Sequence, residues 1–239
     1  MSAKIIIVMS PKGGVGKTTT AVNLAAAMAN LNKKTLLIDA NLETPHVAVY
    51  YGFVGFKYSI EDLLNGNAKI EDVIYTGDNP NLHILPSRVS KDIDDRSINK
   101  LINLNIYLKE LEKIYDFIII DSKPSYDITF IKLIKDAKSL IVCNPDITSI
   151  IEAKKIKEGL DATEIEAIGL VLNRTNTRIK EQIQDDAASD LTKIKSVFKV
   201  RDDNVVYRAL HVGIPVVILS PNSLVARDIT NIAKNIIKI

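Results

Sequence analysis

Residues 4–19 read KIIIVMSPKGGVGKTT, and they decide the fold. The first six, Lys4–Met9, form an apolar, β-branched run that predicts a buried strand. The glycines follow at once, and a helical pattern over 18–31 begins at Thr18, with Val22, Ala25, Ala26 and Ala29 on one face. A strand, a glycine-rich turn and a helix in immediate succession make a phosphate-binding P-loop, here running from Gly13 to Gly16-Lys17-Thr18. Glycines let the backbone wrap phosphate oxygens and aim N–H groups at them, and the helix N-terminus adds positive potential. Lys17 is placed for the β- and γ-phosphates and the Thr18 hydroxyl for Mg²⁺. Gly14, Val15 and Thr19 complete the cradle.

Outward from this loop, short apolar runs alternate with amphipathic segments. Further strands are expected at Thr35–Ile38, Leu82–Leu85, Asp116–Ile120, Leu140–Cys143, Ile165–Leu172, Val197–Val200 and Val216–Leu219. Continuous rather than alternating apolar runs fit strands covered on both faces. Helical patterns lie at 96–114, with Ile98, Leu101, Ile102, Leu108 and Leu111 inward, and at 149–160 and 224–237. Residues 78–81 and 91–95 look like surface loops. The expectation is an α/β fold, a doubly wound, mostly parallel sheet with helices on both faces. With 239 residues, 46% hydrophobic, one domain over 1–239 is the economical reading.

Composition removes several classes. Lys+Arg total 31 and Asp+Glu 29, a net charge of +2, which excludes a polybasic protein. The single cysteine, Cys143, excludes a disulfide framework and a CxxC pair, and its apolar strand makes it a small core residue. No apolar run approaches ~20 residues, and no signal peptide precedes the first strand, so a cytoplasmic location is expected.

Two acids close apolar runs, Asp39 after the second strand and Asp121 in FIIID at 117–121. Both fall at the carboxyl ends of parallel strands, where ligands bind in such sheets. An acid that ends a hydrophobic strand beside a P-loop is the Walker B pattern, so Asp121 is expected to bind Mg²⁺ through water. On its own it would read as a helix cap.

The run KGGVGKTT at 12–19 resembles the deviant Walker A loop of the ParA/MinD family of dimeric ATPases, and the pattern is nearest to MinD-like members. The resemblance extends over nearly the whole chain. It implies ATP and Mg²⁺ as cofactors, with Thr18, Asp39 and Asp121 around the metal. It also implies that Lys12 reaches across a homodimer, in the ATP state, to the partner's phosphates, with the logic of an arginine finger in trans. The family carries Asp-x-Asp after its second strand, and the second Asp positions or activates water. Here the stretch is Asp39-Ala40-Asn41, and an amide cannot accept the proton. Asn41 fits either a natural slow hydrolase with another water-positioning group or an Asp→Asn change made to hold ATP. Both imply weak turnover. In MinD-like proteins the asparagine of the strand-ending LVLNR at 170–174, here Asn173, hydrogen-bonds the adenine edge, and no NKxD for guanine is present. Arg174 is either over the base or in a surface ion pair. Asp146 either meets the partner's ribose or caps the helix that follows. Lys123 departs from the family's second switch loop, and Tyr50, Tyr51, Phe53 and Phe56 are either core or partner surface.

Absences sort the family. One cysteine excludes the nitrogenase iron protein and the Mrp-type carriers, and one P-loop argues against the arsenite pump ATPase. What the resemblance implies is a switch ATPase for intracellular positioning, at a division site, a pole, or in chromosome or plasmid partitioning. A protein partner or activator is expected. DNA stays open, since Lys154, Lys155 and Lys157, or Lys193, Lys195 and Lys199, read as ordinary solvated faces as well as a patch. The apolar face of 226–239 is needed to cover the sheet, so direct membrane anchoring is not expected. The alternative is an ATP-dependent small-molecule ligase of the dethiobiotin synthetase type.

Overall fold

β1 (Lys4–Met9) lies inside the sheet, paired in parallel with β5 (Phe117–Asp121) on one side and β6 (Lys138–Cys143) on the other. The computed structural model describes residues 2–53, 55–88, 101–124, 134, 136–163 and 165–239. Among them, β2 (Thr35–Asp39), β3 (Tyr75–Thr76), β4 (Leu82–Leu85), β7 (Ala167–Thr175) and β8 (Val197–Arg201) complete an eight-stranded sheet of order β3-β4-β2-β5-β1-β6-β7-β8. Only β3, an edge strand of two residues, is antiparallel. The expected doubly wound fold is present.

Alternation along β1 divides the core in two, because successive side chains leave opposite faces of a strand. Ile5, Ile7 and Met9 pack with α4 (Leu104–Leu111) and α5 (Ile147–Asp161). Ile6 and Val8 face α1 (Lys17–Asn30) and the helix that ends the chain, Leu224–Lys238. The latter buries Val225, Ala226, Ile229, Ile232, Ala233 and Ile236 against this layer, the task expected of its apolar face. No helix among the described residues is long and apolar enough to cross a membrane.

One expected strand is a helix. Val216–Leu219 forms a short turn of helix after Pro215, whose φ of −54° and ψ of 143° set the entry. A four-residue apolar run carries too little periodicity to separate strand from buried helix. Here the buried Asn23 of α1 decides: its Oδ1 accepts the Val217 N–H at 3.1 Å, so this backbone is paired to α1 rather than to a ladder. The expected helix over 96–114 is, within the described part, a 3₁₀ turn at Leu101–Asn103 followed by α4. Its residues 96–100, the side chain of Ile102 and the loop 91–95 lie outside the described residues. Further short helices are α2 (Val47–Tyr50), α3 (Ile60–Leu64), α6 (Asp185–Thr192) and α7 (Val205–Val212), so that Val216–Leu219 is α8 and Leu224–Lys238 is α9.

Candidate functional site

The glycine loop leaves the carboxyl end of β1 and enters α1 at Lys17. Gly14 and Gly16 take φ of +78° and +95°, which L side chains rarely adopt. Gly16 is constrained twice. A Cβ there would fall 2.1 Å from Nδ2 of Asn173, and that nitrogen donates to the Val15 carbonyl at 2.7 Å. Asn173, at the far end of β7, therefore holds the loop from behind.

Inside the loop two side chains converge on one carboxylate. Lys17 Nζ lies 2.5 Å from Asp121 Oδ1, and Thr18 Oγ1 donates to Asp121 Oδ2 at 2.7 Å. Asp121 and Lys17 are buried. Register explains Asp39: β2 pairs with β5 so that Asp39 stands opposite Asp121. Burial, and then the Asp121 charge beside it, push the Asp39 carboxyl above the usual carboxylate range, against hydrogen bonds from the Val47 and Asn41 backbones. Its oxygens accept from the backbone N–H groups of Asn41 (3.1 Å), His46 (3.1 Å) and Val47 (3.0 Å). Asp39 thus anchors the loop after β2 as well as facing the site.

Two buried carboxyl groups face each other beside one lysine, their mutual repulsion showing in the raised Asp39, and a hydroxyl adjoins them. That donor set suits a divalent cation of the Mg²⁺ type, which keeps waters and binds substrate phosphates. Among the described residues no group of three or more His, Cys, Asp or Glu side chains gathers at one place, so phosphate and water would complete its shell.

Asn41 is buried, and its amide is occupied. Nδ2 donates to the Thr44 carbonyl at 2.7 Å and to Thr44 Oγ1 at 3.0 Å. Lys12 stands at the mouth with 44% of its side chain exposed, Nζ 3.8 Å from Glu152 of α5. Lys123 pairs with Glu43 and so ties the loop after β5 to the loop after β2. The rest of the segment after Pro124, residues 125–133, lies outside the described residues.

Asp146 is the N-cap of α5, its carboxylate accepting from Ser149 N at 2.9 Å and Ser149 Oγ at 2.8 Å. Burial is the largest single influence and raises it, but the Ser149 bonds, the Lys12 charge and the Thr148 N–H together hold it below its ordinary value. The structure therefore gives Asp146 a capping task. Cys143 is buried, and burial pushes its thiol up to about 12, as expected of a core residue. Tyr51 is buried, with its hydroxyl 3.3 Å from the Val22 carbonyl, and its ring meets Phe53, whereas Tyr50 turns to the loop.

Two adjoining cavities open here. The first, about 320 Å³, is lined by Lys12, Lys17, Thr18, Asn41 and also by Thr44, His46, Val49 and Tyr50. The second, about 110 Å³, is lined by Asn173, Asp202, Asp203 and Tyr207. Arg174 is exposed, has φ +59°, and borders both. Thr44, His46, Asp202, Asp203 and Tyr207 escape a reading by motif, because each arrives from a loop or short helix with no spacing tied to residues 12–19.

A family model described as an AAA domain matches residues 3–181. An uncharacterized ATP-binding protein of Methanocaldococcus jannaschii is 32% identical over 99% of this chain and 89% of its own length. The chain belongs to the ParA/MinD family of P-loop ATPases. Its fold is similar to that of the septum site-determining protein MinD of Pyrococcus horikoshii complexed with Mg-ADP. The TM-score is 0.87 at 28% identity, over 98% of this chain and 96% of that one. It is equally similar to MinD in the MinC:MinD cell division complex of Aquifex aeolicus, at TM-score 0.87 and 26% identity over 99% and 97% of the two chains.

Proposed function

We propose that this member of the ParA/MinD family is an ATP-dependent dimerising switch for intracellular positioning, built as one ATPase domain over 1–239, with slow hydrolysis. The observation that carries the reading is the convergence of Lys17 and Thr18 on Asp121, 2.5 and 2.7 Å away, inside a glycine loop with Lys12 half-exposed at its mouth. Lys17 would neutralise β- and γ-phosphate charge. Mg²⁺, held by Thr18 and Asp121 with Asp39 behind them, would supply Lewis-acid stabilisation of the transferring phosphoryl group. Lys12 would turn to the partner's nucleotide, so that two ATP molecules are sandwiched between two copies.

Support for slow turnover comes from Asn41. Its donors are spent on Thr44, and an amide has no basic site for the proton of an attacking water. A protein partner fits the MinC:MinD complex of the Aquifex aeolicus relative. Size-exclusion chromatography with light scattering tests the switch. With Mg-ATP the chain is expected to elute as a dimer, and with Mg-ADP as a monomer. A dimer indifferent to nucleotide would overturn the switch and favour a ligase-type enzyme.

A further inference from the structure

Five residues line both cavities: Gly16, Thr19, Tyr50, Arg174 and Leu210. They form a neck between the phosphate loop and the chamber that holds Asn173. Within the neck the Tyr50 hydroxyl lies 2.6 Å from Thr19 Oγ1. Thr19 belongs to the first turn of α1, where N–H groups and the helix dipole favour anions. Tyr50 comes from α2, directly after the loop that Asp39 anchors.

We infer that Tyr50 is a positioning residue for nucleoside phosphates that span this neck, acting through Thr19. The inference rests on the adenine-nucleotide reading of the site. With phosphates in the first cavity and the base in the second, the atoms that cross the neck are the α-phosphate and ribose. Each hydroxyl has one hydrogen. When Tyr50 donates to Thr19 Oγ1, the Thr19 hydrogen is free for a phosphate oxygen, which can only accept. Hydrogen bonds in such a chain polarise one another, so Tyr50 strengthens the Thr19 bond without touching the β-phosphate. Pyrophosphate held at Lys17 and Thr18, short of the neck, gains nothing from this relay. A tyrosine that merely packs α2 on α1 would affect every ligand alike.

The test is calorimetric titration, in Mg²⁺, of the wild-type chain, Tyr50→Phe, Thr19→Val and the double variant, with ADP and with inorganic pyrophosphate. Tyr50→Phe keeps the ring and removes only the hydroxyl. It is expected to weaken ADP by about tenfold, the scale of a hydrogen bond relayed to a charged group, and pyrophosphate by less than about twofold. The double variant is expected to bind ADP no more weakly than Thr19→Val alone, since the two changes break one chain. Unchanged ADP affinity in Tyr50→Phe, equal losses for ADP and pyrophosphate, or additive losses would each overturn the inference. Failure of the wild-type chain to bind ADP at all would instead overturn the nucleotide reading.

Discussion

At the scale of single residues, Asn41 carries the expectation of slow hydrolysis, and its amide also ties the loop after β2 together. A carboxylate at this position would place acceptor against acceptor, because the Thr44 carbonyl now receives the Asn41 N–H at 2.7 Å. Asn41→Asp is therefore expected to act in two directions. Unliganded stability falls by about 1–3 kcal/mol, the cost of leaving a buried acceptor unpaired and setting a charge against it. ATP turnover rises, because a base now faces the cavity that holds Lys17 and Thr18. Urea unfolding without nucleotide reads the first effect, and phosphate release under saturating Mg-ATP reads the second. Equal turnover in the two proteins would show that position 41 does not limit the chemistry.

At the scale of elements, the joint between α1 and α8 rests on one buried amide. Asn23 Nδ2 donates to the Thr19 carbonyl at 2.9 Å, and its Oδ1 accepts from Val217. Asn23→Ala is expected to destabilise the chain by about 1–3 kcal/mol, since the Val217 N–H loses its partner inside the core. A drop in the urea midpoint without a change of slope would register it. A loss below about 0.5 kcal/mol would mean that water replaces the amide. The same joint explains what was legible beforehand. β1, β5 and β6 could be read because strands covered on both faces are continuous apolar runs, and the loop because its glycines and Lys17-Thr18 are local in sequence. Val216–Leu219 could not, because its state depends on a side chain 194 residues away. Tyr50 was visible only as one aromatic among four, since its distinguishing partner, Thr19, is a matter of tertiary contact. The capping of α5 by Asp146 was legible, whereas the second task of Asp39, anchoring backbone up to Val47, required the loop to be seen closed.

At the scale of the whole molecule, the charges on the outer surface say less than the single lysine at the cleft. Lys154 and Lys157 on α5 pair with Glu158 and Asp161, and Lys199 pairs with Asp185, so these cations present little unbalanced charge to a polyanion. Lys12 differs. Its contact with Glu152 is long, 3.8 Å, and both side chains are partly exposed, although the Glu152 Oε2 that faces Lys12 is itself buried without a hydrogen-bond partner. Part-exposed pairs of this kind contribute about 0–1 kcal/mol, and Lys12 makes no hydrogen bond to the buried Glu152 Oε2 that its removal would break. Lys12→Ala is therefore expected to leave monomer stability within about 1 kcal/mol of wild type and to leave ADP binding in place. Dimerisation should respond in the opposite way. A two-fold interface repeats every loss, and it would bring two triphosphates toward each other with both compensating lysines gone. Like charges facing across an interface cost several kcal/mol. The expected result is a variant that folds and binds ADP normally yet stays monomeric in Mg-ATP by light scattering. An ATP-dependent dimer that survives Lys12→Ala would place the cross-subunit contact elsewhere and return Lys12 to the surface pair seen with Glu152.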